Sequence, residues 1–218
     1  MIVDSMTYDE ILDLHEKDRG IIARKMEEYV PKVRRWYKKT KPKERTYYPT
    51  IRFQSAKGFH YVMMIYYKGK GEDKEEPFGI HWYCWYVQKK GMYGIVQSML
   101  GGMVSHKTII TPHFLDRYRE RFLKDLSMDK ADVLHHFIMN NSKQPSRNIE
   151  SKKYPGCHYK ICNDGLCLCH KLTGLDIEAK TFITWDMAGN DQKAIALEGK
   201  KLADILDFEL NLPFDELD

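Results

Sequence analysis

The chain has 218 residues, of which 43% are hydrophobic and 30% charged, with a formal net charge of +4 at neutral pH. That length and balance suit one large or two small globular domains with a sizeable core, and exclude a low-complexity, collagen-like or disordered polymer. The longest apolar run, residues 61–67, is too short to span a membrane. Residues 1–4 lack the basic start and apolar core of an export signal, and five cysteines, an odd number, suit free thiols in a reducing compartment. A cytoplasmic protein with no membrane partner is the expectation.

From the N-terminus, Ser5 or Thr7 can cap a helix running through Ile11, Leu12 and Leu14 towards Gly20. Ile21, Ile22, Met26, Tyr29 and Val30 keep a helical spacing until Pro31, which is expected to interrupt or kink the helix. Between residues 32 and 45 lie Lys32, Arg34, Arg35, Lys38, Lys39, Lys41, Lys43 and Arg45, against the single acid Glu44. Such a segment favours a polyanion. Trp36 and Tyr37, set among these cations, match single-stranded nucleic acid, whose bases stack while its phosphates pair with Lys and Arg. A basic amphipathic helix with Trp36 packed inward carries the same signature, so both readings stand. Lys32, Arg34, Arg35, Lys38 and Lys39 are the candidate nucleic-acid-binding residues.

Lys41-Pro42-Lys43 breaks the chain before a β-rich region. Residues 47–54, 59–67, 80–87 and 93–99 are rich in aromatic and β-branched side chains and predict an antiparallel meander. Residues 68–77 read as an exposed loop, Gly101-Gly102 as a turn, and residues 103–110 as a further strand. Trp82, Tyr83, Trp85 and Tyr86 read as core and cross-strand packing rather than a ligand cage. Beyond residue 111, two helices are expected, the second opened by Ser127 or Asp129 and running through Val133, Leu134, Phe137 and Ile138 to Asn140-Asn141. Residues 142–155 read as a loop. The turn Asn163-Asp164-Gly165 between residues 158–162 and 166–172 is a hairpin signal. Residues 180–187 and 193–197 read as strands and residues 200–210 as a closing helix.

The most informative stretch opens the first of those two helices. Thr111 is a good N-cap and Pro112 suits the first helical position. His113, Arg117 and Arg121 then fall on one side of an α-helix, while Phe114, Leu115, Tyr118 and Phe122 share an apolar side. An imidazole that moves protons and two guanidinium groups that hold a phosphate are the chemistry a phosphodiester cleavage requires. Arg and His on a solvated face, paired with Asp116 and Glu120, satisfy the same pattern.

The Cys157 to His170 hairpin raises the question of metal. Cys167 and Cys169 share one side of a strand, with Cys162 near them across the turn. The two CxxC pairs of a zinc knuckle are missing, and Cys is a common small core residue, so no metal ligand is assigned. Gly-rich phosphate loops, HExxH and GxSxG are absent from the sequence.

The segment from residue 110 to about 196, roughly two-fifths of the chain, resembles small bacterial proteins with H-x-x-x-R-x-x-x-R on a first helix, then a second helix and an antiparallel sheet. Here that pattern is His113, Arg117 and Arg121, followed by the hairpin around Asp164-Gly165 and the strand Phe182-Ile183-Thr184-Trp185. Those proteins resemble the barnase, EndoU, colicin and RelE group of metal-independent ribonuclease folds, many of them toxins. The resemblance implies proton transfer by His113, phosphate contact by Arg117 and Arg121, a hydrogen bond from Thr184, and no cofactor. The fold class expected is α+β, an antiparallel sheet packed by helices with an N-terminal helix and β-meander extension. Residues 1–45 form a helical basic segment, 46–110 a β-rich region and 111–218 the RelE-like domain in this reading. The function expected is a metal-independent, toxin-like ribonuclease, the alternative a non-catalytic module. RNA and a protein are the candidate partners.

Overall fold

The computed structural model describes residues 1–69, 78–100, 103–141, 148–151, 155–205 and 212–213. It is an α+β fold whose backbone divides into two units, Met1–Lys89 and Lys90–Asp218.

In the first unit, α1 (Tyr8–Glu16) opens with a capping box: Thr7 Oγ1 accepts the Glu10 N–H at 3.4 Å, and Glu10 Oε2 accepts the Thr7 N–H at 2.7 Å. The next helix, α2 (Arg19–Thr40), continues through Pro31, where the sequence predicts an interruption. Proline removes one interior hydrogen bond. Packing on both sides of Pro31 offsets that loss, because Met26, Tyr29, Val33 and Trp36 all pack into one cluster with Ile51, Met63 and Ile65. The helix ends where Lys41 adopts the left-handed conformation (φ 42°) ahead of Pro42.

Strands β1 (Thr46–Tyr47), β2 (Ile51–Gln54), β3 (His60–Tyr67) and β4 (Phe78–Gln88) follow, with β3 antiparallel to each of the other three. The single strand expected over residues 47–54 is split, since Pro49 lacks the N–H a ladder needs. Met63 and Ile65 of β3, with Phe78, Ile80 and Trp82 of β4, belong to the cluster under α2. Tyr83 and Tyr86 are buried, and Trp85 stacks on His60 at 3.7 Å, as core and cross-strand packing predict. Asp18, fully buried between α1 and α2, takes Lys57 Nζ at 2.5 Å and the Tyr61 hydroxyl at 3.3 Å.

The second unit contains β5 (Gly91–Leu100), β6 (Met103–Ile110), α3 (Pro112–Tyr118), a π-helical turn (Arg119–Leu123), α4 (Lys130–Asn141), β7 (Asn148–Glu150), β8 (Cys157–Cys162), β9 (Gly165–Lys171), β10 (Ile177–Thr184) and α5 (Asn190–Ile205). The strands lie in the order β5-β6-β10-β9-β8-β7. All neighbours are antiparallel except β6 and β10, which run parallel with Ile177 opposite Thr108. Phe182 of β10 meets Phe114 and Tyr118 of α3 and Phe137 of α4 at ring separations of 5.8, 4.9 and 6.5 Å. On alternate residues, Ile161, Leu166 and Ile183 face the other way and pack with Ala188, Ile195 and Ala196. Helices therefore cover both faces of this sheet.

Two expectations are corrected in this unit. Residues 193–197, read as a strand, are helical, and the closing helix starts at Asn190, ten residues earlier than expected. Gln192 Oε1 accepts the Gly189 N–H at 3.0 Å, and Ala194 and Ala196 are strong helix formers. At Gly199 an added Cβ would stand 2.2 Å from Ile161 Cδ1, so the missing side chain lets α5 approach β8. The predicted loop over residues 142–155 contains the short strand β7; its residues 142–147 and 152–154, like the Gly101-Gly102 turn and residues 70–77 and 206–211, lie outside the described residues.

Candidate functional site

The site builds up from the entry to α3. Thr111 donates its hydroxyl to Ala179 O at 3.0 Å and accepts the Phe114 N–H at 3.2 Å, so one side chain caps α3 and ties it to β10. Pro112 follows at the helix start and His113 stands exposed in the first turn, with no hydrogen-bond partner among the described residues. Phe114, Leu115 and Tyr118 are fully buried beneath it. One turn on, Arg117 Nη1 pairs with Glu120 Oε2 at 2.6 Å, both side chains partly exposed.

After Tyr118 the α-helix gives way to the π turn, so Arg121 does not occupy an α-helical i+8 position. Its Nη1 donates to Phe182 O of β10 at 2.5 Å. That bond uses one of five guanidinium donors. Two residues beyond Phe182, Thr184 is buried at the end of β10. Its hydroxyl bonds the carboxylate of exposed Asp186, and this bond holds the Asp186 carboxyl below its ordinary value. Arg121 and Thr184 thus converge on the last residues of β10, whereas His113 and Arg117 lie earlier along the same helical segment. The neighbouring cation Arg119 turns instead to Asp116 (3.2 Å) and to Met128 O (3.1 Å).

Beneath the π turn lies a polar group that the sequence pattern does not reveal. The Tyr118 hydroxyl donates to Asp164 Oδ2 at 2.5 Å and stands 3.1 Å from His136 Nδ1 of α4. Asn141 Nδ2 donates to the same carboxylate oxygen at 2.9 Å. Burial first, then the bond to Asp164, pushes the Tyr118 phenol far above its ordinary value, so it keeps its proton. The one signal in the sequence is chemical: a tyrosine on the buried side of a helix needs a partner for its hydroxyl. Asp164, by its neighbours in sequence, reads only as a turn residue.

The basic segment forms the second half of α2. Arg34, Arg35, Lys38 and Lys39 are exposed, and Lys32 pairs with Glu28 at 3.3 Å. The interleaved aromatics turn inward: Trp36 meets Tyr48 at 5.7 Å, and Tyr37 meets Tyr67 and Phe78 at 5.2 and 5.4 Å. This part of the helix presents its cations to solvent and keeps both rings for packing.

In the cysteine hairpin, Cys162 Sγ and Cys167 Sγ lie 3.4 Å apart and buried, and Cys157 Sγ lies 3.9 Å from His170 Nε2. Burial pushes the Cys169 thiol up to about 12 and the Cys167 thiol upward as well. Without a bound cation, both stay protonated at neutral pH. Among the described residues, no three His, Cys, Asp or Glu side chains cluster as a metal site, and no helix is long and apolar enough to cross a membrane.

Compared with protein-family models, curated proteins and solved structures, the chain matches none of them.

Proposed function

We propose that this chain is a metal-independent, toxin-like ribonuclease acting in the cytoplasm, with His113, Arg117, Arg121 and Thr184 as its working residues. The observation that carries the reading is the fixed Arg121 guanidinium, held on the Phe182 carbonyl two residues before Thr184, on a helical segment whose first turn presents His113. The H-x-x-x-R-x-x-x-R resemblance supports the same assignment. π turns inside helices are rare and often sit at functional sites.

In the proposed reaction the ribose 2′-oxygen attacks the adjacent phosphorus and the 5′-oxygen leaves, giving a 2′,3′-cyclic phosphate. His113 moves a proton, and Arg121 and Arg117 offset the charge that builds on the phosphoryl oxygens. Arg117 must exchange Glu120 for phosphate, an easy exchange because solvent-exposed ion pairs of this kind contribute little. No cofactor is required. The exposed cations of α2 favour a second reading, a non-catalytic module that binds nucleic acid or a protein through electrostatics.

The test is cleavage of an RNA oligonucleotide and its 2′-deoxy analogue, with and without chelator. Cleavage of RNA alone, to a cyclic phosphate and unaffected by chelator, is the expected result. Binding without cleavage across varied RNAs favours the second reading, and cleavage abolished by chelator refutes metal independence.

A further inference from the structure

Cleavage through the 2′-hydroxyl moves two protons, one off the attacking oxygen and one onto the leaving oxygen, and His113 supplies only one of the two groups. A second imidazole, His136 of α4, packs against Tyr118 and Phe122 of the helical segment that bears His113, and its surroundings fix its tautomer. The Tyr118 hydroxyl has a single proton and stands within hydrogen-bond distance of two groups, Asp164 Oδ2 at 2.5 Å and His136 Nδ1 at 3.1 Å. A carboxylate oxygen can only accept, so the Tyr118 proton goes to Asp164. The approach to His136 then requires Nδ1–H to donate to the phenol oxygen. In the neutral ring this leaves the lone pair on Nε2. The side-chain amide of Asn140 lies farther from the same nitrogen, at 3.4 Å, and a half-turn of that amide presents its oxygen to Nδ1–H.

Asn141 anchors the far end of the chain of bonds, donating to Asp164 Oδ2 at 2.9 Å and to Phe137 O at 2.8 Å. Three elements, α3, α4 and the β8–β9 turn, therefore meet in one hydrogen-bonded line that ends at His136. The His136 ring is only partly buried, and lies 6.2 Å from the ring of Phe122, the residue after Arg121. The imidazole is thus beside the π turn that holds the phosphate-binding arginine.

We infer that His136 is the second proton-transfer residue of the ribonuclease site, oriented by Tyr118 and Asp164, an inference that rests on the proposed ribonuclease function. As the bond from the 2′-oxygen to phosphorus forms, the 2′ proton passes to His136 Nε2. As the bond from phosphorus to the 5′-oxygen breaks, that oxygen takes a proton from His113. Tyr118 and Asp164 touch no reacting atom; they are positioning residues.

The experiment pairs single-turnover RNA cleavage by wild type, His136→Gln and Tyr118→Phe with ¹⁵N NMR of the His136 ring in the wild type. His136→Gln is expected to cut the rate by roughly 10²- to 10⁴-fold with RNA binding kept. The wild-type ring is expected to show the Nδ1–H tautomer, and Tyr118→Phe to shift it towards a tautomer mixture with slower cleavage. Wild-type cleavage with His136→Gln within twofold of it, or an Nε2–H tautomer, overturns this inference and leaves the ribonuclease reading standing. A wild type that cuts no RNA overturns both. The tautomer measurement needs no variant, so it decides even where a substitution prevents folding.

Discussion

Replacing Tyr118 by Phe removes one oxygen atom and leaves the ring among Phe114, Phe122, Phe137 and Phe182, all within 6.5 Å of its centroid. The cost is therefore that of a hydrogen bond rather than of packing. Asp164 keeps Asn141 as a donor and loses the shorter bond from the phenol, while His136 Nδ1 loses its phenol partner. A hydrogen bond to a charged acceptor contributes about 1.5–3 kcal/mol, and partly exposed His136 can recruit water, so the cost falls in that range rather than above it. For a chain of this size that corresponds to a fall of roughly 3–12 °C in melting temperature. Urea denaturation followed by tryptophan fluorescence measures the cost. A cycle with Asp164→Ala isolates the pair and is expected to show coupling of about 1–3 kcal/mol. A wild-type midpoint for Tyr118→Phe, or strict additivity with Asp164→Ala, refutes the proposition that this network holds α3, α4 and the β8–β9 turn together.

Elsewhere in the fold, burial, reinforced by Lys160, lowers His106 from 6.5 to about 4, so the folded chain keeps it neutral while the unfolded chain protonates near 6.5; stability should fall by up to about 3 kcal/mol as pH drops from 6.5 to 4. His106→Gln should flatten that pH dependence of the urea midpoint, and parallel curves would refute it. Charge removal at Arg34, Arg35, Lys38 and Lys39 should flatten the plot of log affinity for single-stranded RNA against log salt by about 0.7 for each phosphate no longer neutralised, and an unchanged slope would assign these cations to solubility alone. Gly165→Ala should cost about 1–3 kcal/mol, because its Cβ would lie 2.1 Å from Ile183 O and 2.7 Å from the Phe182 ring, forcing β9 away from β10. A variant with wild-type stability would show that this pairing yields more easily than its register implies.

What the sequence makes legible is mostly local. Thr111-Pro112 marks the start of α3, Asn163-Asp164-Gly165 marks the hairpin, and the aromatic and β-branched runs mark β3 to β6, because capping, turn chemistry and period-two patterning each act over a few residues. The passage of α2 through Pro31 is not legible, since packing around Met63 and Ile65 decides it. Residues 193–197 carry a short apolar pattern that strand and helix share, and Gly189 with Gln192 settles it locally. The parallel β6–β10 pairing joins residues about 70 positions apart, beyond any local signal. In the candidate site, spacing alone names His113, Arg117 and Arg121, but the π turn under Arg121 and the partners of Tyr118 depend on tertiary packing with β10 and Asp164.

Whether His113 and Arg121 act on a phosphodiester is decided by single-turnover cleavage of one RNA oligonucleotide by wild type, His113→Ala and Arg121→Ala. His113→Ala is expected to lower the rate by roughly 10²- to 10⁴-fold with RNA affinity nearly unchanged, and Arg121→Ala to lower the rate more than the affinity. Wild-type cleavage retained at full rate by both variants, at equal protein and salt, would contradict the assignment.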